Sequence, residues 1–404
     1  MNKTPFSIKR LLSNVKENGK FRFSIVFINK LSISLCIATI LLASFFIKGF
    51  EYEIEAKIIN FWSNIHIIPY SMAYNFNENP ISISNQDLQI IQNHSNVKSI
   101  HRTAHKGVLI KNNDNIEGLI LKGIDKNGIN KLNKIVIKSI SNNKIDSNDI
   151  PVFISKSMLE KLDTKLGNSI YLSFLAENHI TKKGYIKGIF SSGIIEFDDQ
   201  HIFTDLKMVQ DLNQWPEDSI SSVEISLFDK NKIQQTINDL STISPDIHFT
   251  SIYELFPQLF DWLKLMSQNE TIIFIIMMLV AMINIVNTIS IYILERARTI
   301  GLLKVLGASN RWLYKIFFIQ LSKTILTGAI WGNGIAFIIA YIQLNWHPIN
   351  LDPATYYLDK APIYIDWISV IFINLISILV SYFTLLIPMI WLTKISPIKV
   401  TEYN

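Results

Sequence analysis

The sequence predicts an α-helical membrane protein with four transmembrane helices plus a mixed α/β domain inserted between the first and second helices. Three observations predict it. Four apolar runs, near residues 25–47, 271–294, 316–344 and 368–392, each reach the ~20 residues needed to cross the hydrocarbon core. The stretch between the first two runs has no such segment and, at roughly 220 residues, is long enough to bury a core of its own. Basic residues cluster beside particular ends of the runs, which gives the chain an orientation.

The first span, 25–48, follows Lys3, Lys9, Arg10, Lys16, Lys20 and Arg22. The positive-inside rule puts this segment, residues 1–24, in the cytoplasm. Its alternation of basic and apolar residues (Ile8, Leu11, Leu12, Val15) fits either an amphipathic surface helix or topology-setting charge alone. The long basic lead and the lack of a small-x-small site predict an uncleaved helix. Cys36, the one cysteine, reads as a small apolar residue of that helix.

The outer domain, 49–257, mixes short strands (108–110, 118–122, 152–154, 170–174) with helices (156–162, 205–212). Asn-rich stretches at 111–115 and 141–143 suit turns. From Gln258 the i, i+3/i+4 pattern of Leu259, Leu263 and Met266 runs into the second span, 271–294, without Gly or Pro. Residues 258–270 therefore read as a stalk, about 15 Å of helix per ten residues. The third and fourth spans are 313–344 and 367–392. The loop 345–366 carries Asp352, Asp359 and Asp366 against Lys360 and lies outside, and the tail 393–404 lies inside with Lys394 and Lys399. Gly328, Gly332 and Gly334 suit close helix approach, and Asn284 and Asn287 read as packing or interhelical hydrogen-bonding residues.

The cytoplasmic loop 295–312 is the most informative segment. It reads Glu295-Arg-Ala-Arg-Thr-Ile-Gly-Leu-Leu-Lys-Val-Leu-Gly-Ala-Ser309. A loop there need only be polar, yet this one sets Ile300, Leu303 and Leu306, with Leu302 and Val305, among basic residues. The spacing predicts a short helix with an apolar face, stopped by Gly307, with Ser309 capping the next helix. An apolar helix at that place needs a groove on a partner protein. The candidate partner-binding residues are Glu295, Arg296, Arg298, Ile300, Gly301, Leu303, Lys304, Leu306 and Gly307. Ile300, Leu303 and Leu306 enter the groove, and Arg296, Arg298 and Lys304 hold the helix.

This loop resembles the signature of the FtsX/MacB-type ABC transporter permeases, with Val305 in place of the usual Ala. Further runs resemble the lipoprotein-releasing (Lol) permeases of that superfamily: residues 6–10, Gly49-Phe50 with Glu53-Ile54, Lys57-Ile58, Phe61 and His66-Ile67, the stretch 185–193 with Glu196-Phe-Asp198, residues 351–357 and residues 395–400. The resemblance implies a MacB-like periplasmic domain, an inner-membrane location with both termini cytoplasmic, and pairing with an identical or related permease. It implies an ABC ATPase subunit that holds ATP and Mg, with mechanotransmission from that ATPase to the periplasmic domains. The output it implies is extraction of a lipoprotein substrate from membrane lipid for transfer to a periplasmic carrier. Activation of a periplasmic hydrolase, or export of a peptide or drug, is the alternative output for the same architecture.

Other chemistry is excluded or weak. The chain has no phosphate-binding loop: Gly19-Lys20 lacks the first glycine and the Ser/Thr, so ATP hydrolysis falls to a separate subunit. Met1 lies too near the first span for an N-terminal ATPase domain. No hydrolase elbow or zincin motif occurs, so the chain reads as a permease and not an enzyme, with no catalytic residue, no metal and no cofactor of its own. His101 and His105 fall in a strand-like run that would separate them by about 13 Å. Glu196, Asp198 and Asp199 read as a surface turn or a structural contact. Absence of Asp and Glu from the spans argues against an ion-driven carrier. Lys323 either snorkels to the interface or pairs within the bundle. The basic residues flank spans instead of forming a patch, so no nucleic acid is expected.

Overall fold

A computed structural model describes residues 19–69, 80–112, 115–140, 149–174, 180–243, 247–295 and 297–394. Residues 1–18 of the expected N-terminal segment, the turn at 141–143, Arg296 and the matches at 6–10 and 395–400 lie outside the described residues. The chain divides into two compact units. One is Met1–Phe50, Lys264–Ile349 and Ala361–Asn404; the other is Glu51–Leu263 and Asn350–Lys360.

Four helices among the described residues are long and apolar enough to cross a membrane: Gly19–Trp62, Pro257–Glu295, Asn310–Trp346 and Trp367–Lys394. The first does not stop near residue 48. Nothing between 19 and 62 breaks it, because no proline intervenes and a single Gly49 costs a helix only about 1 kcal/mol. The run after the first span is therefore helix, not the start of the α/β fold. The helix Pro257–Glu295 begins with proline at its first position, where the missing N–H is harmless, and continues unbroken through the expected stalk.

In the membrane unit, Ile33, Ile37, Leu41, Ile285, Ile289 and Ala336 belong to one buried cluster. Gly328 and Gly332, four apart, let the first and third long helices approach. A Cβ on Gly332 would stand 2.7 Å from the Ser34 carbonyl oxygen, and one on Gly328 would stand 3.0 Å from Ile33 Cβ. Gly334 meets nothing within 4 Å and plays no such part within this chain. The interhelical amide pair is Asn333 with Asn374, bonded in both directions at 2.7 and 3.0 Å. Of the asparagines singled out earlier, Asn284 is half-buried and Asn287 exposed. Lys323 is on the outer surface of its helix, the position that permits snorkelling. Lys48 forms an ion pair with Asp366 at 2.7 Å, and Asp366 also caps the last long helix through Ile368 N–H and Ser369 N–H. These bonds, Lys48 first, hold the Asp366 carboxyl down to about 2. A Cβ on Gly49 would stand 2.7 Å from the Pro362 carbonyl oxygen, which gives a steric reason for glycine there.

The second unit is built on strands Ile65–Ile67 (β1), Ile81–Ser82 (β2), Val97–Asn112 (β3), Asn115–Ile124 (β4), Val136–Ser139 (β5) and Ile150–Ser155 (β6). Six more follow: Ser169–Phe174 (β7), Ile180–Phe190 (β8), His201–Asp205 (β9), Ser219–Ile220 (β10), Ser222–Leu227 (β11) and Phe249–Ser251 (β12). The main sheet runs β12-β1-β11-β3-β4-β9-β6-β8-β5, and β7 joins β8 back to β3. Strands β3, β4, β9, β6, β8 and β7 thus close a ring, with β4–β9 and β6–β8 parallel. Period-two alternation drives this. In β7, Ile170, Leu172 and Phe174 are buried while the residues between them are not. All four strands read from the sequence fall inside β3, β4, β6 and β7. The two helices are found at Lys156–Lys161 and Leu206–Asn213.

Candidate functional site

The loop after Glu295 folds as the spacing demands. A short helix, Ala297–Val305, follows the second long helix. Gly307 ends it at φ +89°, a left-handed conformation that a Cβ would penalise. The Gly307 N–H reaches the Lys304 carbonyl (3.0 Å) and the Ala308 N–H reaches the Leu303 carbonyl (2.9 Å), the paired bonds of a Schellman cap. Ser309 Oγ then accepts from the Trp312 N–H at 3.3 Å to open the third long helix. The two adjacent caps fix where the short helix ends and where the next one starts.

The faces of this helix differ from the expected assignment. Ile300 is 1% exposed and belongs to the membrane unit's own core with Ile293 and Leu313. Leu303 is half-buried against the same cluster, and Gly301 is buried. The uncovered apolar residues are Leu302 (58%), Val305 (68%) and Leu306 (79%), an i, i+3, i+4 stripe on the other side. The helix thus has two apolar faces. One closes the chain's own core, and the other is largely exposed among the described residues. Of the expected groove residues only Leu306 stands out in full. Ile300 cannot serve there without opening the core. Glu295 is exposed, Lys304 is half-buried and burial lowers its ammonium pKa, and the position of the Arg298 side chain lies outside the described residues.

The second unit holds polar residues that the spacing did not reveal. Lys122 and Glu224 form a buried ion pair, 1% and 3% exposed, joined by Lys131 at 3.1 Å from Glu224. The Lys122 ammonium sits 3.9 Å over the Trp62 ring, and Lys131 also donates to the Phe61 carbonyl (3.1 Å) and Ser63 Oγ (2.7 Å). The end of the first long helix is therefore held by charge. Burial alone would raise the Glu224 carboxyl; the two ammonium groups outweigh it and hold that carboxyl well below its usual range. Burial lowers Lys131 to about 8 and holds His66 and His201 at about 3, so both imidazoles are neutral. No local signal marks this cluster, because Lys122, Lys131 and Glu224 lie on three separate elements that only the fold brings together.

His101 and His105 both lie on β3, His101 bonded to Ser99 Oγ at 3.1 Å. Among the described residues no group of three or more His, Cys, Asp and Glu is placed to hold a metal. Glu196, Asp198 and Asp199 lie on a short helix, Ile195–Gln200, not on a surface turn. Asp198 is buried and accepts from the Ser192 N–H at 2.8 Å, and Asp199 accepts from Lys161 at 2.6 Å.

Residues 271–397, which carry the loop and three of the four long helices, match the family described as FtsX-like permease C-terminal. Over 98% of its length the chain is 21% identical to 99% of the lipoprotein-releasing system transmembrane protein LolE of Haemophilus influenzae. It is 23% identical to the lipoprotein-releasing system transmembrane protein LolC of Buchnera aphidicola, over 94% of each chain. The periplasmic region of MacB from Actinobacillus actinomycetemcomitans superposes over 48% of this chain and 92% of its own, at 10% identity and a TM-score of 0.34. The relatives bear out, along nearly the whole chain, the resemblance read from its motifs.

Proposed function

We propose that this chain, a membrane permease with an FtsX-like C-terminal domain, is the permease subunit of an ATP-driven transporter that releases lipoproteins from the inner membrane to a periplasmic carrier. The observation that carries the reading is the exposed stripe Leu302, Val305 and Leu306 on a short helix, ended by a glycine cap, between two long apolar helices. A contiguous exposed apolar patch beside charged residues favours a protein partner, and the permease character makes that partner an ATPase. The chain itself carries no phosphate-binding loop.

In this reading the large unit is periplasmic, and the loop and both termini are cytoplasmic. ATP-driven closure pushes the short helix, and the unbroken helix Pro257–Glu295 carries the displacement toward the outer domain. Its 39 residues span about 58 Å at 1.5 Å per residue. Among the described residues all four long helices expose apolar side chains, including Leu31 and Leu35 on the first and Ile272, Ile276, Leu279 and Ile283 on the second. Such faces are available to lipid, to a second permease and to acyl chains. Each buried CH₂ contributes ~0.8 kcal/mol to lipid anchoring, so a chain of about 15 methylenes resists extraction by about 12 kcal/mol. That cost is the physical reason for an ATP-driven step.

The test is Leu306→Asp in the tagged, membrane-inserted chain. Copurification of an ATPase subunit should fall at least about tenfold, the effect of losing 1.4 kcal/mol or more of apolar contact. Unchanged copurification would remove the docking role. Depletion of the chain should leave lipoproteins in the inner membrane, whereas a peptide or drug exporter would leave their distribution intact.

A further inference from the structure

Four segments, distant in sequence, meet within the outer unit around one ammonium. Lys57 lies near the end of the first long helix, between Ile54 and Ile58, which are fully buried. Its Nζ donates to the Tyr357 carbonyl at 2.6 Å and to the Gly193 carbonyl at 3.2 Å. Tyr357 Oη in turn donates to Glu196 Oε1 at 2.8 Å. The Tyr357 ring meets the Trp262 ring edge-on at 6.1 Å, and Trp262 belongs to the helix Pro257–Glu295.

Two backbone features were shaped for this contact. Tyr357 has φ +58°, a left-handed conformation that costs a non-glycine residue energy and persists only where its surroundings hold it. It ends the short helix Pro353–Tyr356, its N–H bonded to the Pro353 carbonyl at 3.0 Å. Gly193 has φ +75°, and the Lys57 ammonium fills the space a Cβ would take. The turn that presents the Gly193 carbonyl is fixed by Asp198, which accepts from the Ser192 N–H and the Ser191 hydroxyl. A partner carboxylate could swing with a lysine; two backbone carbonyls on separate segments cannot. Such bonds position more than they neutralise.

One of these segments, at Gly193, belongs to the outer unit itself. The other three are, in sequence, the continuation of the first span, the continuation of the second, and the loop between the third and fourth. Those are the routes by which the chain enters the outer unit. We propose that Lys57 is a positioning residue that clasps these routes together, so that displacement arriving along one is delivered to the outer unit as a single rigid motion. Without the clasp the third-to-fourth loop yields independently and the stroke dissipates. The inference rests on the ATP-driven permease reading and names where in this chain the stroke is kept whole.

The experiment uses the full chain in its complex with the ATPase, reconstituted in proteoliposomes with a bound lipoprotein. Two rates are measured, ATP hydrolysis and lipoprotein release. Lys57→Met should leave hydrolysis within about twofold and lower the lipoprotein released per ATP about tenfold, a coupling loss of ordinary size. Tyr357→Phe, which keeps the carbonyl that accepts from Lys57 and loses only the bond to Glu196, should lower it less. Lys57→Arg, which keeps the charge and the donors, should recover most of that ratio. Lys207→Met breaks an exposed pair with Glu217 in the same unit and should leave the ratio unchanged. A purely structural role predicts that release and hydrolysis fall together with the amount of folded complex. That result, or a normal release-per-ATP ratio in Lys57→Met, overturns the clasp. A wild-type chain that binds no ATPase would instead fell the permease reading itself, and the clasp with it.

Discussion

Placing alanine at Gly332 and at Gly334 separates helix propensity from helix packing two residues apart. Both glycines lie inside the helix Asn310–Trp346, where alanine is favoured over glycine by up to about 1 kcal/mol. At Gly334 nothing stands within 4 Å of the new methyl, so that gain should be realised. At Gly332 the methyl would sit 2.7 Å from the Ser34 carbonyl oxygen and 3.0 Å from Ile37 Cβ. Ordinary contact at these atoms begins near 3.4 Å, so the two helices must part by several tenths of an ångström. The obstacles are a backbone oxygen and a branched Cβ, neither of which can rotate away. Overpacking of this kind costs about 1–3 kcal/mol. Gly332→Ala should therefore be less stable than Gly334→Ala by about 1–3 kcal/mol, roughly a 5- to 140-fold difference in unfolding equilibrium. The assay is reversible unfolding of the purified chain in mixed micelles, followed by tryptophan fluorescence. Equal stability of the two variants would refute the claim that Gly332 holds the first and third long helices together.

Acid should weaken the outer unit in a window set by its buried imidazoles. His66 and His201 titrate near 3 in the fold and at about 6.5 unfolded, so the unfolded chain binds more protons between those values. Stability accordingly falls as pH drops from 6.5 toward 3, by about 2 kcal/mol per histidine at pH 5. Protonation of Glu224, whose folded pKa is depressed, adds in the same direction below about 4.5. His66→Phe should remove its own share of the loss between pH 7 and pH 5, about 2 kcal/mol, and a stability indifferent to pH over that range would contradict the burial argument. Glu224→Gln should cost about 3–5 kcal/mol, because it leaves Lys122 and Lys131 buried without a counter-charge. Adding Lys122→Met should recover part of that loss in the same unfolding measurement, and strict additivity of the two variants would contradict the pairing.

Much of the architecture is legible from local pattern. Apolar runs of spanning length mark the four long helices, and period-two alternation marks β3, β4, β6 and β7. Gly307 announces the end of the short helix and Ser309 the start of the next. These are properties of residues within one or two turns of each other, so a linear chain displays them directly. The loop signature also suffices to recognise a permease, because caps and stripe sit in fifteen consecutive positions.

Tertiary structure decided what depends on distant neighbours. Ile300 and Leu302 are equally apolar and two apart, and only the packing of Ile300 with Ile293 and Leu313 turns one inward and leaves the other uncovered. The first long helix passes residue 48 because Ile54, Ile58 and Phe61 find burial in a unit assembled largely from later sequence. Lys122 with Glu224, and Lys57 with Gly193 and Tyr357, unite residues from 102 to 300 positions apart. A charge becomes tolerable in a core only once its partner has arrived from elsewhere in the chain, and periodicity carries no record of that partner.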